Sequence, residues 1–162
     1  MRIYTTKTDT HGDGHYSFHI FDTQSAYVSS IVWGGVIDGW GAGVENVNGM
    51  IGSSPDGNYA RLHGESYPDV AAIIGKMSSQ QSGTNHIYVH AYLPTGTNAY
   101  VAVYVSQNNN YDWTLVNGLN IAGSSTPQTI DFGTTTVNFR YVCVCLMVYI
   151  QVYFDVDCLI SS

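Results

Sequence analysis

The chain predicts an all-β fold, an antiparallel β-sandwich or jelly roll that closes one core between two sheets. Three observations predict it. Apolar residues alternate at every second position in segment after segment, they almost nowhere recur at helical spacing, and clusters of Gly, Asn, Pro and Ser separate the segments. Roughly ten short strands with no helical crossover between them must pair as antiparallel neighbours.

Taken in order, the strands fall at 17–22, 27–33, 59–63, 70–77, 86–93, 100–106, 113–117, 129–132, 139–148 and 152–161. The first two carry mixed aromatic and β-branched residues. The third follows SSPDGN, where Pro55 and Gly57 supply the fixed and then the permissive φ of a β-turn. The fourth is a near-continuous apolar run. In the fifth, Ile87, Val89, Ala91 and Leu93 share one face and His86, Tyr88, His90 and Tyr92 the other. In the sixth, Val101, Val103 and Val105 face inward and Tyr100 and Tyr104 outward. The intervening LPTGTN reads as a hairpin loop, so the two outward faces would merge into a Tyr and His patch. Such a patch suits a covered second layer, a subunit interface or a stacking platform for sugar rings. Asn-, Gly- and Thr-rich segments precede the seventh, eighth and ninth strands, and Gln151 breaks the apolar run between the last two.

The 162 residues fit one domain, or one domain plus an arm. Charged residues are only 10% of the chain, so the solvated surface must be hydroxyl, amide, Gly and Tyr, a surface commoner on extracellular and cell-surface proteins than on cytosolic enzymes. Five Lys+Arg stand against 12 Asp+Glu, a net charge of −7, which argues against nucleic acid as a partner. With 13% aromatic residues the chain has ample apolar surface to bury and is not disordered. The N-terminal stretch MRIYTTKTDTHGDGHYS has no apolar h-region, and the longest uncharged apolar run, 141–154, is too short to span a membrane as a helix. Three cysteines near the C-terminus make no disulfide framework. If 141–148 and 152–160 were neighbours, Cys143 and Cys158 could form one staple; otherwise all three are small buried hydrophobes.

Three pieces of sequence carry a resemblance: GSSPDGNYARL at 52–62, VAVYVSQNNNYDWTLV at 101–116, and FRYVCVCL with VYFDVDCLIS at the end. In the middle piece a strand ends in Ser106, an Asn-rich turn follows and Trp113-Thr114 opens the next strand, with Asn108, Asn109 and Asn110 where the pattern usually has Asp-Gly. In this order the pieces resemble the galactose-binding-like jelly roll of discoidin-type domains and many carbohydrate-binding modules, over residues 39–162. Residues 1–38 fall outside the resemblance, as extra N-terminal strands or an arm. The resemblance implies a structural Ca2+ against the last strand, held by Asp155 and Asp157, with Asp38, Glu45 and Asp56 as further oxygen donors. It also implies that Trp113 is core.

Other metal patterns are weak. DTHGDG at 9–14 imitates the opening of an EF-hand loop, but Ile20 stands at the required acidic position. His11, His15 and His19 would share a face only on a helix that Gly12 and Gly14 oppose. Sugar binding needs flat aromatic faces and directional polar groups, and the turns offer both. Trp40 lies in the Gly-rich segment GGVIDGWGAG, Tyr67 and Tyr111 border turns, Arg61 and His63 end a strand, and Asn109, Asn110 and Asp112 decorate the turn before Trp113. Arg61 and Arg140 would meet either an acidic sugar or the carboxylates of Asp69 and Asp131. No Gly-x-Ser-x-Gly elbow, HExxH or P-loop is present. A polysaccharide lyase would have to use His86, Tyr88, His90 and Tyr92 with Arg61. The sequence thus points to a non-catalytic, extracellular carbohydrate-binding or adhesion module that engages a glycan through Trp40, Tyr111, Asn110, Asp112, Arg61 and His63. The alternative is a self-associating surface, filament or coat subunit packing through its low-charge Tyr-rich face.

Overall fold

All ten expected strands form, several of them longer than the sequence suggested. A computed structural model gives the structure of the protein over residues 2–7 and 16–21, where the strands alone are described, and over residues 25–162. In chain order the strands are β1 (Arg2–Lys7), β2 (Tyr16–Phe21), β3 (Ala26–Asp38), β4 (Gly43–Glu45), β5 (Ala60–Ser66), β6 (Val70–Gln81), β7 (Asn85–Tyr92), β8 (Asn98–Ser106), β9 (Thr114–Ala122), β10 (Gln128–Thr135), β11 (Phe139–Met147) and β12 (Ile150–Ser161). A 3-10 turn, Val47–Met50, follows β4. β1 and β2 pair with each other as an antiparallel hairpin. Neither β1 nor the three-residue β4 was expected, since both lie among Gly and Thr without clean alternation. The acidic and histidine run at 9–15 lies outside the described residues.

The remaining strands build two antiparallel layers. The front layer runs β3-β6-β11-β8-β9, the back layer β10-β7-β12-β5-β4. β3 belongs to both: its first residues pair with β12 through Tyr27 and Ile160, and the rest pairs with β6 from Val28 to Asp38. Residues 26–38, grouped by the resemblance with the N-terminal segment, are therefore built into the sandwich. Alternation sets the core. Val101, Val103 and Val105 of β8 and Val142, Val144 and Leu146 of β11 meet Ile87, Val89 and Ala91 of β7 and Leu62, Phe154 and Leu159 of the back layer, all fully buried. Phe132, Phe139 and Met50 close the core.

β7 and β8 are not a hairpin. β7 pairs with β10 and β12, β8 with β11 and β9. The LPTGTN segment crosses from one layer to the other, its Thr97 carbonyl accepting from Gly123 N and its Leu93 carbonyl from Ser124 N, where the chain crosses back between β9 and β10. The His and Tyr face of β7 and the Tyr face of β8 consequently look out from opposite sides of the molecule. β11 and β12 likewise occupy different layers, and Cys143, Cys145 and Cys158 are three free, buried thiols rather than a staple.

Candidate functional site

At one end of the sandwich the loop after β3 meets the turn between β5 and β6. Asp69, at that turn, is the staple: one carboxylate oxygen accepts from Glu65 N at 2.9 Å and from Ser66 N at 3.3 Å, the other from Gly41 N at 3.3 Å. Its own carbonyl accepts from Val148 N at 2.9 Å. These backbone donors, Glu65 N foremost, hold the Asp69 carboxyl below its ordinary range. Gly39 makes the approach possible: its φ is 88°, and any side chain there would run into Asp69. The pinned loop presents Trp40 with its whole surface in water (relative exposure 105%). Beside it Tyr67 stacks on Tyr149, ring centroids 5.9 Å apart and planes 12° from parallel. Val36 to Gly41 and Glu65 to Asp69 enclose an open recess of about 640 Å3. Its polar groups are the carboxylates of Asp38 and Glu65 and the hydroxyls of Ser66 and Tyr67; Asp38 also accepts from Gly39 N at 2.8 Å. Among the described residues no cation lines it.

A second recess, about 380 Å3, opens on the outer face of the front layer. It follows β11, whose Met147, Cys145 and Cys143 alternate outward, from the end that carries Trp40 toward mid-sheet. Val70 and Ile74 of β6 form one wall, Tyr104 of β8 and Trp113 the other, and Ile37 closes the near end. The floor is Cys143 and Cys145, and it stays low at Cys145 because the small residues Ala72 and Ala102 flank it in register. The Trp33 ring lies over Gly35, and the Tyr100 hydroxyl covers Gly118. Burial pushes the Cys143 and Cys145 thiols up to about 12 and about 11, so the floor carries no charge at neutral pH. Trp113, expected in the core, is instead part of this outer face. Val103 and Val105 point inward, so Tyr104 points outward, and Leu115 opposite it shares that face with Trp113 two residues earlier.

The predicted ligand residues do not form one site. Asp38, Val70, Met147 and Tyr100 stand in register at the Trp40 end, whereas Ser106 and the loop carrying Asn110, Tyr111 and Asp112 lie at the opposite end of β8, about 20 Å away. Asp112 caps that loop. It accepts from the Ser106 hydroxyl and from Gln107 N, Asn108 N and Asn110 N. The Ser106 hydroxyl first, then the three amides, bring its carboxyl down to about 2. Tyr111, at φ 56°, is fully exposed. Arg61 and His63 are together, but on the back layer. Arg61 makes two hydrogen bonds to Asp155, at 2.7 and 2.9 Å, and lies 5.1 Å over the Tyr153 ring, which His63 also flanks at 5.9 Å. The partners expected for the arginines were different: Arg140 donates to the Met77 carbonyl, and Asp131 meets His86 at 2.5 Å.

Asp155 and Asp157 do not fit a calcium cradle. Both Asp155 oxygens are taken by Arg61, while those of Asp157 accept from Asp56 N at 3.0 Å and Gly57 N at 2.9 Å, capping the PDG turn. A hard cation needs six to eight oxygens turned toward it, and here the oxygens face N–H donors. Among the described residues no three His, Cys, Asp or Glu side chains converge. Nor is any helix among them long and apolar enough to cross a membrane.

The sequence missed Tyr149, Glu65 and the front-layer recess. Tyr149 sits in the two-residue turn between β11 and β12, hidden within the apolar run 141–154.

No protein-family model matches the chain, and no curated protein matches it in sequence. Among solved structures it is similar to a variant of a family 29 carbohydrate-binding module complexed with mannohexaose, at 11% identity and TM-score 0.50 over 85% of this chain and 89% of that one. It is also similar to the K2 cleaved adhesin domain of Lys-gingipain, at 14% identity and TM-score 0.51 over 78% and 85% of the two chains. At these identities the likeness is one of fold, the antiparallel β-sandwich that the alternation of apolar residues predicted.

Proposed function

We propose that the protein is a non-catalytic carbohydrate-binding module acting outside the cell, and that its primary site is the end recess around Trp40. The observation that carries this reading is the wholly exposed Trp40 beside the stacked Tyr67–Tyr149 pair, on loops that Asp69 pins in place. Flat aromatic faces take the C–H side of a pyranose, and Asp38, Glu65 and Ser66 accept from its hydroxyls. A pinned loop loses little entropy on binding. The recess holds carboxylates without a cation, so it suits a neutral glycan, and a uronate would meet like charge. The likeness in fold to a family 29 carbohydrate-binding module complexed with mannohexaose supports this reading.

The geometry does not favour lyase chemistry: the back layer carries His86, Tyr88, His90, Tyr92 and Arg61, but Arg61 is already bound to Asp155 and His86 to Asp131. The test is isothermal titration with neutral oligosaccharides (manno-, cello- and xylo-series) and with oligogalacturonates, alongside light scattering of the protein alone. Binding of a neutral series by a monomer, with no product released, is expected. Binding of oligogalacturonates alone, appearance of unsaturated uronates, or indifference to every sugar by a protein that assembles with concentration would each overturn the proposal.

A further inference from the structure

The end recess and the front-layer recess are not separate. Ile37 lines both, and a smaller hollow of about 140 Å3, walled by Asp38, Tyr67, Val70 and Met147, joins them around the edge of the sheet. Chemically the two differ sharply. The end recess offers carboxylates and hydroxyls, while the front recess offers Ile, Val, Met, two neutral thiols and two aromatic rings, with the Tyr104 hydroxyl and the Trp113 N–H as its only strong hydrogen-bonding groups. A sugar ring laid there would leave most of its hydroxyls unpaired, which is costly. An alkyl chain would leave nothing unpaired.

From Met147 to Cys143 the front recess is about 13 Å long, and its volume of about 380 Å3 lies in the range of small-molecule sites. Most of its lining, Val70, Ile74, Tyr104, Cys143, Cys145 and Met147, stands on the adjacent strands β6, β11 and β8, so it is a feature of the rigid sheet rather than of a loop.

We infer that the ligand is amphipathic: a neutral saccharide carrying an alkyl or acyl chain, with its sugar in the Trp40 recess and its chain along the β11 groove. This rests on the carbohydrate reading of the end recess and adds the class of molecule to it. The chain enters past Ile37 and Val70, covers Met147 and Cys145, and ends against Tyr104 and Trp113. Trp113 is thus a specificity residue for the chain, and Trp40 for the sugar.

The experiment titrates the intact protein with methyl, hexyl and octyl glycosides of glucose, mannose, galactose and xylose, below the concentrations at which they form micelles, and with 1-octanol. For the sugar that binds, affinity is expected to rise roughly two- to fourfold per methylene, as burial of a chain in a half-open groove requires. Cys145→Leu, which fills the floor, is expected to flatten that series and leave the methyl glycoside unchanged. An octyl glycoside brominated at its far end quenches Trp113 fluorescence, and Trp113→Phe removes the quenching; this readout stands if the filled variant fails to fold. Octyl glycosides that bind no better than methyl glycosides overturn the inference and leave the sugar reading intact. Octanol binding as tightly as octyl glycosides overturns the joint head-and-chain ligand as well. Methyl glycosides and oligosaccharides that bind unchanged to Trp40→Ala would remove the sugar reading instead.

Discussion

Replacing Trp40 with alanine separates a binding role from a structural one. The side chain has its whole surface in water, so the folded state loses almost no packing when it is removed. Exposed positions of this kind change stability by about 0.5 kcal/mol or less. Covering one face of the indole with a pyranose removes about 70 Å2 of apolar surface, roughly a third of what a Trp side chain can bury. At about 25 cal/mol per Å2 that is about 1.8 kcal/mol, or a loss of about 20-fold in affinity. Calorimetric titration of the best neutral oligosaccharide gives the affinity, and thermal denaturation of the same samples gives the stability.

Two outcomes would refute the reasoning. An affinity within twofold of wild type would mean that Trp40 is not the platform. A large fall in Tm would mean that Trp40 packs against something in solution and is not free to receive a ligand. Tyr67→Ala supplies an independent check, since it unstacks Tyr149, 5.9 Å away, and is expected to weaken the same sugars while leaving the core untouched.

Asp157→Ala leaves the Asp56 and Gly57 amides without their buried acceptor, and two charge-assisted hydrogen bonds partly replaced by water predict a loss of about 2–3 kcal/mol. That is a drop in Tm of roughly 5–10 °C, measured by calorimetry with calcium and with a chelator. Wild-type Tm is expected to be the same in both, and a calcium-dependent rise that vanishes in the variant would show that the carboxylate serves a metal after all. Acid should loosen the β8–β9 loop. The Asp112 carboxyl is lowered to about 2 in the folded chain, so its contribution is complete above the ordinary value near 3.8 and is lost as the pH falls toward 2. The urea midpoint is expected to fall across that window, and to fall less in Asp112→Asn; identical slopes in the two proteins would contradict the capping role.

Strands were legible because alternation is a local property. β7 reads directly as inward Ile87, Val89 and Ala91 against outward His and Tyr, and the protein buries those three completely. Partnership between strands was not legible, because LPTGTN has the same turn chemistry whether it returns the chain beside its own strand or carries it across to the other layer. What decides is long-range: Gly123 and Ser124, some thirty residues on, tie that loop down. The same limit moved Trp113 from core to outer surface. Of the site, Trp40 and Tyr67 could be named, since a Trp among glycines and a Tyr before Pro68 stand out. Their convergence with Tyr149 could not, because it depends on Asp69 holding three segments far apart in sequence.

The scarcity of charge that the composition shows has a structural counterpart. Four of the carboxylates are spent on backbone: Asp69 holds the Trp40 loop, Asp112 the β8–β9 loop, Asp157 the PDG turn, and Asp131 the bulge at Gly133. Arg61 is likewise consumed by Asp155. These five carboxylates and Arg61 therefore shape the structure, while Asp38 and Glu65 are left to line the end recess. What remains to meet a ligand is exposed indole and phenol rings beside the carboxylates of Asp38 and Glu65 at the end of the sandwich, and an uncharged groove next to them. An anionic partner would find no cation in the end recess among the described residues, whereas a neutral sugar needs none, and neither does a hydrocarbon chain. The arrangement of the acids thus supports the assignment of the ligand as strongly as the aromatic residues do.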